Sequence, residues 1–165
     1  MEVKHLVMYS GGIGSWAAAK RVVEKHGTEG VVLLFADTMI EDPDLYRFLD
    51  ETTEEIGIPL TRIADGRTPW QVFKDTKFLG NTQVDPCSRI LKRELLNRWR
   101  SDNCDVGVTV THFGIDWSES HRIKRLAERM KPWKVEAPMC DKPYLTKLGM
   151  LKLLKATKGL RGVGE

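Results

Sequence analysis

The chain has 165 residues, 41% of them hydrophobic and 30% charged, with a formal net charge of +3. Those values describe one globular domain and exclude a disordered or collagen-like chain. No apolar run reaches the roughly 20 residues that a membrane helix needs, and MEVKHLVMYS has no signal-type apolar core, so a cytoplasmic protein with no membrane partner is expected.

Val3 to Met8 reads as a buried strand, and Ser15 to His26 follows with Trp16, Ala19 and Val23 at helical spacing before Gly27 stops it. Between them lie Ser10, Gly11, Gly12, Ile13, Gly14 and Ser15. Glycines let another molecule approach the main chain, and a helix start leaves N–H groups unpaired, so this junction fits a phosphate. A tight turn capped by Ser15 with no ligand is the competing reading. The GxxxxGK[ST] lysine is missing and the spacing is not GxGxxG, so neither of those loops is present.

Val31 to Ala36 is an unbroken apolar run, as in a strand buried on both faces of a parallel sheet. Asp37 and Thr38 follow it and either bond a ribose or base edge or cap the next helix, together with Glu41 and Asp42. Asp44 to Ile56 reads as a helix closed by Gly57, IPLTRIA as a third strand, and Thr68 as the cap of a short helix beginning at Pro69. Lys77 to Pro86 is aperiodic and reads as a mobile loop. Ser88 to Arg100 is expected to be a helix, Asp105 to Phe113 a strand by its alternation, and Ser120 to Met130 a basic helix. Pro132 to Tyr144 reads as irregular, and Leu145 to Lys158 as a last amphipathic helix.

Strands alternating with helices predict a three-layer α/β sandwich with a mainly parallel, doubly wound sheet. A single domain 1–165 is expected, with a core over 1–130 and a basic helical extension over 131–165. The polar segments after the strands, Ser10–Ser15, Asp37–Glu41 and His112–Glu119, should then share the rim where such sheets bind ligands.

Residues 1–66 carry 6 Lys/Arg against 12 Asp/Glu, and residues 67–165 carry 20 against 11. The basic second part suits an anionic ligand or nucleic acid, or simply a solvated surface. Cys87, Cys104 and Cys140 are odd in number and contain no CxxC pair, which disfavours a disulfide framework, a zinc site and an iron–sulfur cluster. Cys87 sits among Arg89, Lys92 and Arg93, which would activate a thiol, although an unreactive helix-start cysteine is the stronger reading. His112 reads as an acid–base group or, more conservatively, a hydrogen-bonded rim histidine. The tryptophans read as core or half-buried packing, with Trp117 the one placed to stack on a base.

SGGIGS resembles the SGGxDS pyrophosphate loop of the adenine nucleotide α-hydrolase superfamily, the PP-loop ATP pyrophosphatases. FADTMIEDPDLYRFL, CSRILKRELL and FGIDWSESHRIKRL resemble, in order, further motifs of its phosphoadenosine phosphosulfate reductase-like branch. The resemblance covers residues 3 to about 130. It implies a Rossmann-like, HUP-type sheet, with the phosphates of ATP or a related adenine nucleotide on Ser10, Gly11, Gly12, Ile13, Gly14 and Ser15. The adenosine would lie against Ala36, Asp37, Thr38 and Met39, with Arg89 and Gly114 also at the nucleotide.

The implied chemistry is cleavage between the α- and β-phosphates, activating an acceptor as an adenylate, or attack on a sulfonucleotide. Lys92 and Arg122 would neutralise phosphate oxygens, and Glu119 would hold magnesium or fix Arg122. The acceptor would be a small molecule, a partner protein or nucleic acid, and a homodimer is a reasonable assembly. Two departures stand out: Gly14 replaces the motif's Asp, weakening the ATP assignment, and the reductases' Cys-Gly-x-His segment has no counterpart after Lys158. The alternative is therefore a nucleotide-binding module without catalysis.

Overall fold

The computed structural model describes residues 1–80 and 85–161. Five strands, β1 His5–Met8, β2 Val31–Asp37, β3 Leu60–Ala64, β4 Val110–His112 and β5 Lys134–Glu136, form one sheet. Their order is β3-β2-β1-β4-β5, every neighbouring pair parallel. Successive residues of the central strands alternate between two cores. Val7, Tyr9, Leu33 and Phe35 meet helices α1 Ile13–His26, α2 Pro43–Ile56 and α7 Lys147–Arg161. Leu6, Val32 and Leu34 meet Leu96 and Trp99 of α5 Leu95–Asn103 on the other face. The result is the expected doubly wound three-layer sandwich.

Small residues explain how close α1 lies: Ala17, Ala18 and Ala19 are buried against the sheet beside Trp16. The Trp16 indole donates to Glu55 at 3.0 Å, and Lys20 reaches the same carboxylate at 2.6 Å, so a buried acid of α2 is doubly satisfied. The short α3 Pro69–Thr76 starts as expected, with a reciprocal Thr68–Gln71 capping box. The next helix begins earlier than the sequence predicts. It runs through α4 Pro86–Ser88 and a π-helical stretch Arg89–Glu94 into α5. Asp85, which accepts from the Ser88 amide at 3.0 Å, sets its start.

Two expectations need correction. The strand over Asp105 to Phe113 shrinks to Val110–His112, because the Asp105 carboxylate and carbonyl capture the amides of Gly107, Val108 and Thr109 in a turn. Conversely, Pro132 to Tyr144 is not irregular throughout: it contains β5 and a 3-10 turn, Pro138–Cys140. The Arg21 guanidinium of α1 holds that segment by donating to the carbonyls of Pro138, Asp141 and Pro143. Met139, Met150 and Leu154 lie in the same core as α1, so the C-terminal stretch shares the main hydrophobic interior. The mobile loop expected over Lys77 to Pro86 falls partly on 81–84, outside the described residues. No described helix is long and apolar enough to cross a membrane.

Candidate functional site

The strand order reverses direction between β1 and β4. The chain leaves β1 toward α1 on one face, and β4 leads to α6 His121–Met130, whose Leu126 and Met130 border a gap beside α5 on the other. Beyond the carboxyl ends of these two strands a fork opens, where doubly wound sheets bind ligands. Here it is a cleft of about 490 Å³. One lip is Ser10, Gly12, Ile13, Gly14 and Ser15, and the other is Phe113, Gly114, Ile115, Asp116 and Glu119. Met8 of β1 and Lys147 and Met150 of α7 complete the lining.

The first lip is an uncapped helix start. Gly12 is the N-cap of α1 and supplies no side-chain cap, whereas Asp42 and Thr68 cap α2 and α3. Ser15 and Trp16 amides turn back onto the Gly12 carbonyl at 3.1 and 3.2 Å, and the Ser15 hydroxyl donates to it at 2.8 Å. The helix itself offers no partner to the amides of Ile13 and Gly14, and the positive end of the α1 dipole adds to their pull on negative charge. Gly11 takes φ +83°, and a Cβ on it would stand 2.9 Å from Leu45.

The two lips approach closely at a pair of glycines. A Cβ on Gly14 would lie 2.6 Å from the Gly114 carbonyl oxygen, and one on Gly114 would lie 2.5 Å from the Ser15 nitrogen. Position 14 therefore has no room for any side chain. The missing Asp is a steric requirement of this fork as well as a lost carboxylate.

The strand-end segment after β2 is occupied by its own bonds. Asp37 is buried and accepts from the Tyr46 hydroxyl at 2.7 Å, the Met39 amide at 2.8 Å and Arg62 Nε at 2.8 Å. Burial would raise its pKa, but those donors outweigh burial and hold the carboxyl below its ordinary value. Thr38 donates to Glu41 at 3.0 Å, and Lys92 pairs with the same carboxylate at 3.4 Å. Ala36 is buried, whereas Met39 is half exposed with φ +70°. Lys92 lies in the π-helical stretch, a feature that recurs at functional sites. It faces this segment, not the fork.

Arg122 holds Glu119 at 2.9 Å and opens onto a neighbouring basic hollow with His121, Arg125 and Arg129. Arg89 pairs with Glu94 at 3.3 Å on the surface. The structure thus brings Ser10, Gly12, Ile13, Gly14, Ser15, Gly114 and Glu119 together. Gly11, Ala36–Met39, Arg89, Lys92 and Arg122 do not line the cleft. Lys147, Met150 and Asp116 do, without having been singled out. A cation at the start of a helix beyond three prolines carried no spacing signal.

The phosphates of a nucleotide fit the amides of the first lip. Magnesium has less protein to hold it: Arg122 engages Glu119, and Asp116 caps Ser118 at 2.9 Å. Among the described residues no group of three or more His, Cys, Asp or Glu side chains is arranged for a metal, so such an ion would rest chiefly on the phosphates.

The remaining readings resolve simply. Cys87 is half-buried with its thiol directed at the Pro69 carbonyl, and burial pushes the Cys104 and Cys140 thiols up. His112 is buried deeper than a rim residue: it bonds His5 at 3.1 Å, and burial with nearby His5 and His26 lowers its pKa to about 4. Trp117 is exposed and tilted against Tyr144, and Trp70 is 67% exposed instead of packed.

No family model and no curated protein matches the chain. Among solved structures it is similar to the U34-tRNA thiolase NcsA from Methanococcus maripaludis with its 4Fe–4S cluster. The TM-score is 0.60 at 20% sequence identity, over 94% of this chain and 58% of that one. The chain therefore spans little more than half of that protein's length. Together the topology and this likeness give the chain a Rossmann-like, HUP-type α/β sandwich fold.

Proposed function

We propose that the chain is a PP-loop protein that binds ATP or a related adenine nucleotide in the β1–β4 fork. On this reading it cleaves the nucleotide between its α- and β-phosphates and adenylates an acceptor, with pyrophosphate leaving. The observation that carries the reading is the uncapped start of α1 in the lining of a cleft at the switch point. The SGGIGS resemblance and the likeness to a PP-loop-type thiolase fold support it. Lys147 in the cleft's lining is the cation best placed to meet a phosphate chain, with Lys92 and Arg122 as flanking cations. Its motifs resemble those of the phosphoadenosine phosphosulfate reductase-like branch, and the acceptor is a small molecule, protein or nucleic acid.

A second reading has its own observation. Gly14 and Gly114 exclude a carboxylate from position 14, while Glu119 and Asp116 are both engaged, which favours a nucleotide-binding module without turnover. Calorimetry with ATP, AMP and phosphoadenosine phosphosulfate, beside a pyrophosphate-release assay across acceptors, separates the two. Binding with release supports the enzyme, and tight binding without release under every condition supports the module. Binding of none of the three nucleotides refutes both.

A further inference from the structure

On the opposite face of the sheet from α1, a gap of about 420 Å³ lies between α5 and α6. Its walls are apolar: Met8, Leu96, Phe113, Leu126, Met130 and Trp133. Arg93, Asn97, Arg100, Arg129 and Lys131 also line it, and among the described residues no carboxylate does. Lys131 has an exposed partner in Glu128 at 2.8 Å. Arg100 has none.

Arg100 is 4% exposed, and its Nε is a buried donor with no hydrogen-bond partner. One terminal nitrogen donates to Asn97 at 3.0 Å, the other meets only the Met130 sulfur at 4.0 Å, and the guanidinium stacks 4.9 Å from the Trp133 ring centre. Among the described residues no acid pairs with it. The nearby Cys104 thiol is held neutral, burial pushing its pKa up, so it supplies no counter-charge. A buried cation with a free donor and no anion is costly, and a structure retains one where something else brings the negative charge.

We propose that this gap is a second binding site, for a small organic acid with a flat apolar body. The carboxylate would pair with the Arg100 guanidinium in place of its weak contact with the Met130 sulfur, since a guanidinium fork matches a carboxylate's two oxygens. The body would lie along Trp133 between Leu96, Leu126 and Met130, a lining that a fully hydrated inorganic anion would not use. The volume suits a small ligand, and an apolar pocket with a few convergent polar groups is the ordinary form of such sites. Met8 and Phe113 are shared walls with the β1–β4 fork, so the two sites adjoin. The inference does not depend on the nucleotide reading, because Arg100 and Trp133 do not line the fork.

The test uses the full chain and calorimetric titration with benzoate, indole-3-acetate and 1-naphthoate, each beside its neutral amide. At least one acid is expected to bind saturably and at least tenfold more tightly than its amide, with inorganic phosphate failing to displace it. Arg100→Met, which keeps an apolar side chain of similar reach, is expected to abolish that preference while its thermal midpoint holds or rises. Trp133→Leu, which leaves Arg100 in place, is expected to weaken the same acid at least tenfold. Equal binding of every acid and its amide, no saturable binding at all, displacement by phosphate alone, or a preference that survives Arg100→Met overturns the proposal. ATP binding by Arg100→Met is measured alongside, so that loss of the organic-acid site is distinguishable from loss of the nucleotide site.

Discussion

Replacing Gly14 by Ala tests the meeting of the two lips directly. Gly14 lies in the first turn of α1, outside the left-handed region, and there Gly→Ala ordinarily stabilises by about 0.4–1 kcal/mol through the unfolded chain. Here the new methyl would stand 2.6 Å from the Gly114 carbonyl oxygen, against 3.4 Å or more for ordinary contact. One main chain must therefore retreat by about 0.8 Å, and the obstacle is backbone, not a flexible side chain. Overpacking of this kind costs about 1–3 kcal/mol, enough to reverse the sign. Gly149, half-buried in the first turn of α7, is the internal control: a Cβ there meets nothing closer than 3.4 Å.

Urea denaturation of Gly14→Ala is expected to move the midpoint down by about 1 M, while Gly149→Ala holds it or raises it. Nucleotide affinity, by calorimetry, is expected to fall at least tenfold in Gly14→Ala, since the displaced lip carries the amides. Gly14→Asp is expected to behave no better, despite restoring the motif's carboxylate. A Gly14→Ala chain as stable as the parent and binding nucleotide equally well would refute the contact between the lips.

Asp37→Asn removes the charge that Tyr46, the Met39 amide and Arg62 hold, and should cost about 1–3 kcal/mol in urea titrations at pH 7. Because the Asp37 carboxyl is depressed in the fold, its contribution is present above the ordinary value of 3.8 and lost as the pH falls below it. The deficit of the variant should therefore shrink in acid. His112 acts in a higher window: the unfolded chain takes up its proton near pH 6.5 and the folded chain only near 4, so stability falls by about 3 kcal/mol between those values. His112→Gln should remove that part of the slope, and parallel profiles for parent and variant would eliminate the assignment. Lys92→Ala breaks a half-exposed pair with Glu41 and should change the unfolding free energy, by urea titration, by less than about 1 kcal/mol. Its pyrophosphate release is expected to drop at least tenfold, and equal losses of stability and activity would remove any role in turnover.

The first half of the fold was readable because its signals are local. An apolar run bounded by Gly30 and Asp37 has little option but to be a central strand, and Thr68 with Gln71 three residues later announces a capped helix. The second half was read less well where strands are three residues long. β5 sends only Val135 toward the interior, too little for a period, and the alternation of Asp105 to Val108 belongs to a turn. Glycines at 11, 12 and 14 marked a tight junction between strand and helix, but nothing nearby in sequence told that Gly14 needs Gly114. Arg100 shows the opposite failure: a guanidinium on a helix reads as solvent-facing, and only α6, Met130 and Trp133 folding over it make it buried.

The junction of Gly14 with Gly114 also bears on the order of assembly. Its halves are one hundred residues apart in the chain, and neither can meet the other until β4 has docked beside β1. The amides beside Gly14 belong to a local turn, but the walls that make a pocket of them arrive only with that long-range pairing, the slow kind of event in folding. A nucleotide added during refolding should accordingly leave the early phases untouched. It should act only on the finished molecule, slowing its unfolding by mass action.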